Sequence, residues 1–200
     1  MMATISRLAL VAAFALGALA AQVQTTRVHG TIERVEPNAI AVKLTDGTPS
    51  KVVLAPNAMI VDVVKASLAD IKEGTFIGSG AVPQSDGTQR AVEVHIFPEA
   101  MRGTGEGHRP YAAVPQGTMT NGATAGSPVK GVEGATITVR YKGGEKKIVV
   151  TPDTPVVRFV IGSAADLVPG AHFAISGASR KPDGSYEVNR ISVGRDGVPQ

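Results

Sequence analysis

The sequence predicts an all-β protein that contains two tandem small β-barrels, each with one short helix. Three observations support this fold class: an internal repeat, apolar and polar residues that alternate along short segments, and glycine-containing turns between those segments. The 200 residues are 43% hydrophobic, which suits one large domain or two small ones. The chain has no Trp, 3 Tyr and 5 Phe, so aliphatic side chains must fill most of the core.

An internal repeat relates the two halves of the chain. Residues of the first half recur in the same order in the second half, at an offset of about 97 positions that drops by one over the middle of the repeat. The matched pairs include Val35 with Val132, Ile40 with Ile137, Gly47 with Gly144, Pro56 with Pro152, Val64 with Val160, Asp70 with Asp166 and Gly74 with Gly170. A one-residue insertion then restores the first offset and aligns Phe76 with Phe173. This agreement across a whole domain indicates a duplication.

The repeat also predicts the domain boundaries. We expect a first barrel over residues 25–97, a single-copy connecting segment over 98–122, a second barrel over 123–195 and a C-terminal tail over 196–200. Within the first copy, residues 31–35 and 39–43 alternate apolar and polar side chains as strands do, and Asp46-Gly47 supplies a tight turn. Each copy has one segment of helical character, at 67–72 and 163–167. A barrel with a single helix between its strands is similar to an oligonucleotide/oligosaccharide-binding (OB) barrel.

The N-terminus is predicted to be a signal peptide over residues 1–20. Arg7 precedes an apolar run over 8–19, and Ala18-Leu19-Ala20 has the small-x-small pattern of a cleavage site. The run is shorter than the roughly 20 residues that span a bilayer, so we expect no transmembrane anchor after cleavage. The expected location is therefore periplasmic or secreted. Because the chain has no Cys, the fold needs no disulfide there.

The single-copy segment is the place where the repeat itself explains nothing. Long irregular segments in compact proteins are often functional, and this one and the strand before it are rich in imidazole, carboxylate and guanidinium groups. The candidate ligand-binding residues are His95, Glu99, Arg102, Glu106, His108 and Arg109. The expected partner is an unidentified small ligand or protein.

Three hypotheses for this segment remain open. His95 and His108 with Glu99 or Glu106 have the donor atoms that bind a divalent metal ion, although their spacing is no known metal motif. Alternatively, Arg102, His108 and Arg109 bind an anion such as a phosphate or a carboxylated ligand, together with the backbone N–H groups of the glycines at 103, 105 and 107. In the third hypothesis the charges pair with one another, and the segment is a clasp across the seam between the two barrels.

Catalysis and nucleic-acid binding are less well supported. The chain has no Gly-x-Ser-x-Gly motif, and we interpret Gly78-Ser79-Gly80 as a closely packed strand. Only 4% of the residues are aromatic, and the basic residues behind the net charge of +3 are interspersed with acidic ones, so we do not expect nucleic-acid binding. A non-enzymatic binding or scaffold protein without a cofactor is the expectation, and a metal-dependent protein or enzyme is the alternative.

Two stretches of the sequence carry a resemblance to a known family. VEVHIFPEAMRGTGEGHRP at residues 92–110 and TMTN at 118–121, together with the two repeats, resemble a family of exported bacterial proteins. That family is classed as a domain of unknown function and is built from barrel-like repeats. The resemblance covers the mature chain and implies the fold and export, but no activity.

Overall fold

The strands of the protein account for most of the residues that the structure describes. A computed structural model describes residues 25–131, 134–195 and 198; the predicted signal peptide at 1–20 and four residues of the predicted tail lie outside this part of the chain. The strands are β1 (Thr25–Glu36), β2 (Ala39–Leu44), β3 (Pro49–Lys65), β4 (Phe76–Pro83), β5 (Gln89–Ile96), β6 (Gly107–Pro110), β7 (Thr118–Thr124), β8 (Val129–Gly131), β9 (Gly134–Tyr141), β10 (Gly144–Val150), β11 (Val156–Ile161), β12 (His172–Arg180) and β13 (Tyr186–Gly194). The predicted all-β class is confirmed.

Five strands close the first barrel. Their hydrogen-bonded order is β1-β2-β3-β13-β12, and β12 pairs back to β1. The pairing of β3 with β13 is parallel, from Val52 opposite Tyr186 to Val63 opposite Gly194. Inward-facing side chains at alternate positions fill this barrel, with Phe173, Ile40 and Ile191 fully buried.

A second set of five strands pairs in the same cyclic manner. The order is β7-β9-β10-β5-β4, and β4 pairs back to β7. Its parallel contact, between β10 and β5, is short and joins Ile148 to Gln89 and Val149 to Arg90. The aliphatic core of this second ring includes Ile77, Val94 and Ile137.

Each ring combines strands from both halves of the chain. The first takes β1, β2 and β3 from the N-terminal half and β12 and β13 from the C-terminal half. The second takes β4 and β5 from the N-terminal half and β7, β9 and β10 from the C-terminal half. Two tandem barrels, each made from one repeat, are therefore not confirmed. The cause is the length of β3, whose 17 residues span roughly 55 Å and carry the chain out of the first ring before β4 begins.

An antiparallel pair of strands joins the two rings. The C-terminal part of β3 pairs with β11, and Val63 lies opposite Phe159. These two residues are equivalent under the offset that relates Val64 to Val160, so the axis of pseudo-twofold symmetry passes through this pair. The β3–β11 pair is thus the centre of the seam between the rings.

The helical segments are shorter than predicted. Each contains one turn of 3-10 helix, η1 (Leu68–Asp70) and η3 (Ala164–Asp166), and a third turn, η2 (Glu99–Met101), follows β5. Ser67 and Asp70 form a capping box around η1, and Ser163 and Asp166 form the same box around η3. In the described part of the chain no helix is long and apolar enough to cross a bilayer.

The strand register locates the equivalent residues of the two halves. A Cβ at Gly30 would lie 2.2 Å from the carbonyl oxygen of Lys43, and one at Gly122 would lie 2.2 Å from that of Arg140. These two close approaches make β7 the counterpart of β1, although β7 begins inside the segment predicted as single-copy. Phe173 pairs with Gly30 and Ile77 pairs with Gly122, so Phe173 corresponds to Ile77, one residue away from the predicted match.

A buried carboxylate breaks the pseudo-symmetry near the seam. On β11, Arg158 donates to Asp70 over 2.8 Å. The equivalent position on β3 is Asp62, which is 2% exposed and faces Asp166, the counterpart of Asp70. Burial and the charge of Asp166 raise the pKa of Asp62, and Arg195 opposes them by donating to Asp62 over 3.1 Å. Arg195 therefore stands in for the arginine that this half lacks.

We expect Arg195→Ala to lower the free energy of unfolding by about 1–3 kcal/mol, because it leaves the buried Asp62 carboxylate without its counter-charge. The loss should shrink in the Asp62→Asn background. Urea unfolding of the two single variants and the double variant measures the coupling. Arg158→Ala is the matched control, with a smaller loss expected because its pair is half exposed. Equal losses in the two arginine variants would contradict the argument.

The same carboxylate predicts a pH dependence. Since the folded-state pKa of Asp62 is raised, its favourable contribution is complete below the unfolded pKa and is lost as the pH rises through the folded value. The wild-type protein should therefore lose stability relative to Asp62→Asn as the pH rises from about 3 to 7. Unfolding curves of both proteins across this range test the sign.

Candidate functional site

A cavity of about 580 Å³ lies at the seam, between outward-facing side chains of the two rings. His29, Ala174 and Ser192 line it from the first ring, at positions that alternate with the buried core residues Val28 and Ile175. Strand β5, the β3–β11 pair and the segment after β5 form the remaining walls. Each ring takes strands from both halves of the chain, and we call this arrangement the strand exchange. It brings these outer faces together and so creates the cavity.

Two glycines of β4 make room for the polar wall of the cavity. A Cβ at Gly78 would lie 2.7 Å from Oδ1 of Asn121, and one at Gly80 would lie 2.9 Å from both Oε1 of Glu93 and the ring of Tyr111. A larger residue at either position would displace Asn121, or Glu93 and Tyr111, from their present places against β4. The Gly78-Ser79-Gly80 run is thus a closely packed strand, and its Ser79 hydroxyl is buried and donates to the carbonyl of Glu93 over 2.9 Å.

Glu93 is the centre of a hydrogen-bonded group. The hydroxyl of Tyr111 donates to its Oε1 over 2.9 Å, and Nε2 of His95 lies 3.4 Å from its Oε2. The guanidinium of Arg27, from the first ring, stacks 4.8 Å from the centre of the Tyr111 ring. Tyr111 therefore touches both rings, as the clasp hypothesis requires of this segment.

The electrostatics of this group follow from burial and charge. Burial opposes ionisation of Glu93, but His95, the Tyr111 hydroxyl and Arg27 outweigh it and hold the pKa of Glu93 below its ordinary value. Burial and the neighbouring Glu93 charge raise the pKa of Tyr111 to about 12. At neutral pH the pair is thus a carboxylate and a neutral phenol.

Three arginines face the cavity, from three different parts of the chain. Arg27 lies on β1, Arg190 on β13, and Arg109 on β6. Nη1 of Arg109 donates to the carbonyl of Gly105 over 2.6 Å, so a neutral group is its partner. Arg190 makes no hydrogen bond or ion pair within the described residues.

A second part of the cavity wall is apolar and aromatic. Phe159 packs its ring 5.0 Å from those of both His95 and Phe97, edge-on in the case of Phe97. Met101 and Met119 also line the cavity, and methionine adapts readily to irregular shapes. The cavity wall therefore combines charged groups with apolar and aromatic ones.

The structure places two of the six candidate residues in the cavity wall, His95 and Arg109. Glu99 and Arg102 lie outside it and bind each other, with a distance of 2.8 Å between Nη2 and Oε2. Arg102 also donates to the carbonyl of Gly74 over 2.9 Å, which fixes η2 to the turn before β4. This pair has a structural role in the described conformation.

The last two candidates also have other partners. Glu106 accepts a hydrogen bond from the backbone of Lys142 over 2.9 Å. Nδ1 of His108 lies 2.8 Å from the hydroxyl of Thr120, and its ring stacks on that of Tyr141. Burial and then the charge of Lys146 lower the pKa of His108.

The alternative metal site is not assembled in this conformation. Within residues 25–131, 134–195 and 198, no three His, Cys, Asp or Glu side chains are arranged to hold a metal ion. The predicted ligands His95, Glu99 and His108 contact Glu93, Arg102 and Thr120 respectively.

Sequence reasoning missed Arg27, Glu93 and Arg190 because they lie on strands of the repeat, outside the single-copy segment. One signal was present in the repeat itself. Glu93 and Arg190 are equivalent under the offset of about 97 positions, so one half has a carboxylate where the other has a guanidinium. A charge reversal at equivalent positions marks a place where the two halves differ in chemistry.

Comparison with known proteins found no family model, curated protein or solved structure that matches the chain. The role of the site must therefore be inferred from its own geometry and chemistry.

We expect Tyr111→Phe to lower the free energy of unfolding by about 1–2 kcal/mol, because a largely buried carboxylate loses a hydrogen-bond donor. The pKa of Glu93 should rise towards its ordinary value, which a carboxyl NMR titration would show. Tyr186→Phe is the matched control, since no hydrogen bond of its hydroxyl lies within the described residues. An unchanged Glu93 titration in Tyr111→Phe would show that the phenol does not stabilise the carboxylate.

Proposed function

We propose that the protein is an exported, non-enzymatic binding protein whose seam cavity holds a small organic ligand. The observation that carries the proposal is the cavity itself. Its volume of about 580 Å³ is in the range of small-molecule sites, and it combines apolar walls with a few convergent polar groups as such sites do. The predicted signal peptide and the resemblance to an exported family support the periplasmic or secreted location.

The proposed architecture is a pair of OB-like barrels that exchange strands. In the first half, the 3-10 turn η1 lies between the third strand, β3, and β4. In the second half, β10 and β11 together correspond to β3, and η3 lies between β11 and β12. This is the place of the helix in an OB barrel. Under this proposal the ligand lies between the two barrels.

Binding is favoured over catalysis by the state of the polar groups. A general acid or base works best with a pKa near the operating pH. Here the pKa of Glu93 is lowered and that of Tyr111 is raised to about 12, so both are moved away from neutrality. These shifts suit a fixed arrangement of charges that recognises a ligand.

The proposal predicts that the full mature protein binds the uncharged dye Nile red in the cavity, with a rise in fluorescence. Ala174→Phe should abolish this rise, because the new ring would occupy the cavity from β12. Ala69→Phe is the matched control, since Ala69 is exposed and does not line the cavity. Thermal melting of both variants confirms that they are folded.

Two results would count against a ligand cavity. One is the absence of Nile red binding to the folded wild-type protein. The other is equal binding by the folded wild type and Ala174→Phe, which would place the dye elsewhere on the surface.

A further inference from the structure

The charges that face the cavity are unequal in number. Among the described residues that line it, three are arginines and one, Glu93, has a carboxylate. Both oxygens of Glu93 are already engaged, Oε1 by Tyr111 and Oε2 by His95. Glu93 is therefore committed to protein partners.

Arg190 is the least satisfied of these cations. It is partly buried on β13 and, within the described residues, has no carboxylate or carbonyl to which it donates. Its guanidinium nitrogens are not among the buried side-chain atoms that lack a hydrogen-bond partner, so they remain accessible to an entering ligand. A carboxylate accepts two guanidinium N–H groups in a forked arrangement. Arg190 is thus a ready partner for an anion that enters the cavity.

The remaining arginines add to this positive field. Arg109 is held in position by the carbonyl of Gly105, which orients its guanidinium without neutralising it. Arg27 and His95 both interact with the negative charge of Glu93, and Arg27 also stacks on the ring of Tyr111. Arg27 and Arg109 are both exposed, so salt screens their contribution and Arg190 is the most enclosed of the three.

The apolar wall limits what else the ligand can be. Phe97, Phe159, Met101 and Val157 all line the cavity, and a small inorganic anion would leave these side chains without contact. An acyl chain or an aromatic ring would cover them and bury additional apolar surface.

We infer that the ligand is an organic carboxylate with an apolar body, whose carboxylate binds Arg190 and whose apolar part packs on Phe97 and Phe159. The inference rests on the proposed function, since it names the ligand class of the same cavity. It assigns Arg190 as the specificity-determining residue.

The test uses displacement of bound Nile red from the full mature protein by four small probes. Octanoate has both the headgroup and the apolar body, octan-1-ol lacks the charge, octylammonium has the opposite charge, and acetate lacks the body. We expect octanoate to displace the dye at concentrations at least tenfold lower than each of the other three. A charge-assisted hydrogen-bonded pair accounts for a preference of about this size.

Arg190→Ala should weaken the binding of octanoate about tenfold and leave the binding of octan-1-ol unchanged. Arg180→Ala on the neighbouring strand β12 is the matched control, because Arg180 is exposed and does not line the cavity. Arg190→Gln is a second variant that keeps more of the side-chain packing. Thermal melting shows that the variants are folded.

The outcomes separate the two proposals. If Nile red does not bind, the proposed function fails. If Nile red binds but octan-1-ol or octylammonium displaces it as well as octanoate does, the ligand class is wrong while the cavity stands. Equal displacement by acetate, or an unchanged octanoate affinity in both Arg190 variants, overturns the inference as well.

Discussion

Both rings of strands depend on parallel pairing between strands that lie far apart in the chain. β3 pairs with β13 in the first ring, and β10 pairs with β5 in the second. Neither half has the five strands of a ring by itself, because each contributes three strands to one ring and two to the other. The core of the first ring, which joins Ile40 to Ile191, therefore forms only when both halves are present. Such long-range pairing slows folding.

The exchange of strands also explains why a cavity exists at the seam. A strand in a small closed barrel has one face towards the core and one towards solvent. Because β3 and β11 run between the rings, the outer faces of β5 and β13 come to lie on either side of them. Side chains that would be exposed on separate barrels, such as Glu93 and Arg190, therefore face a shared space.

Much of the fold could be predicted from the sequence because it depends on local signals. Period-two alternation identified β2, and the turn at Asp46-Gly47 lies between β2 and β3, with Gly47 at a φ of 85°. The duplication was visible in matched residues. The exchange of strands was not predictable in this way, because a repeat has the same sequence whether its strands close on themselves or on the other half.

The candidate site was harder to predict than the fold. The one-residue insertion in the second half was placed before Phe173, whereas the register pairs Phe173 with Gly30 as Ile77 pairs with Gly122. Insertions within a strand leave little trace in composition. The search for candidates in and just before the single-copy segment also passed over Glu93 and Arg190, which occupy equivalent positions of the two halves but have opposite charges. Segment 98–122 did supply the cavity residues Arg109 and Tyr111.

The same kind of divergence occurs twice near the pseudo-twofold axis, with different physical results. Asp62 occupies the position that Arg158 has in the other half, so its carboxylate lies near that of Asp166. Arg195 supplies the counter-charge by donating to Asp62. At the Glu93 and Arg190 positions, the carboxylate has its own donors and the guanidinium has no partner within the described residues. The first difference is compensated inside the protein by a residue that follows the last strand. The second is not, and an anionic group from outside the chain is the chemistry that would complete it.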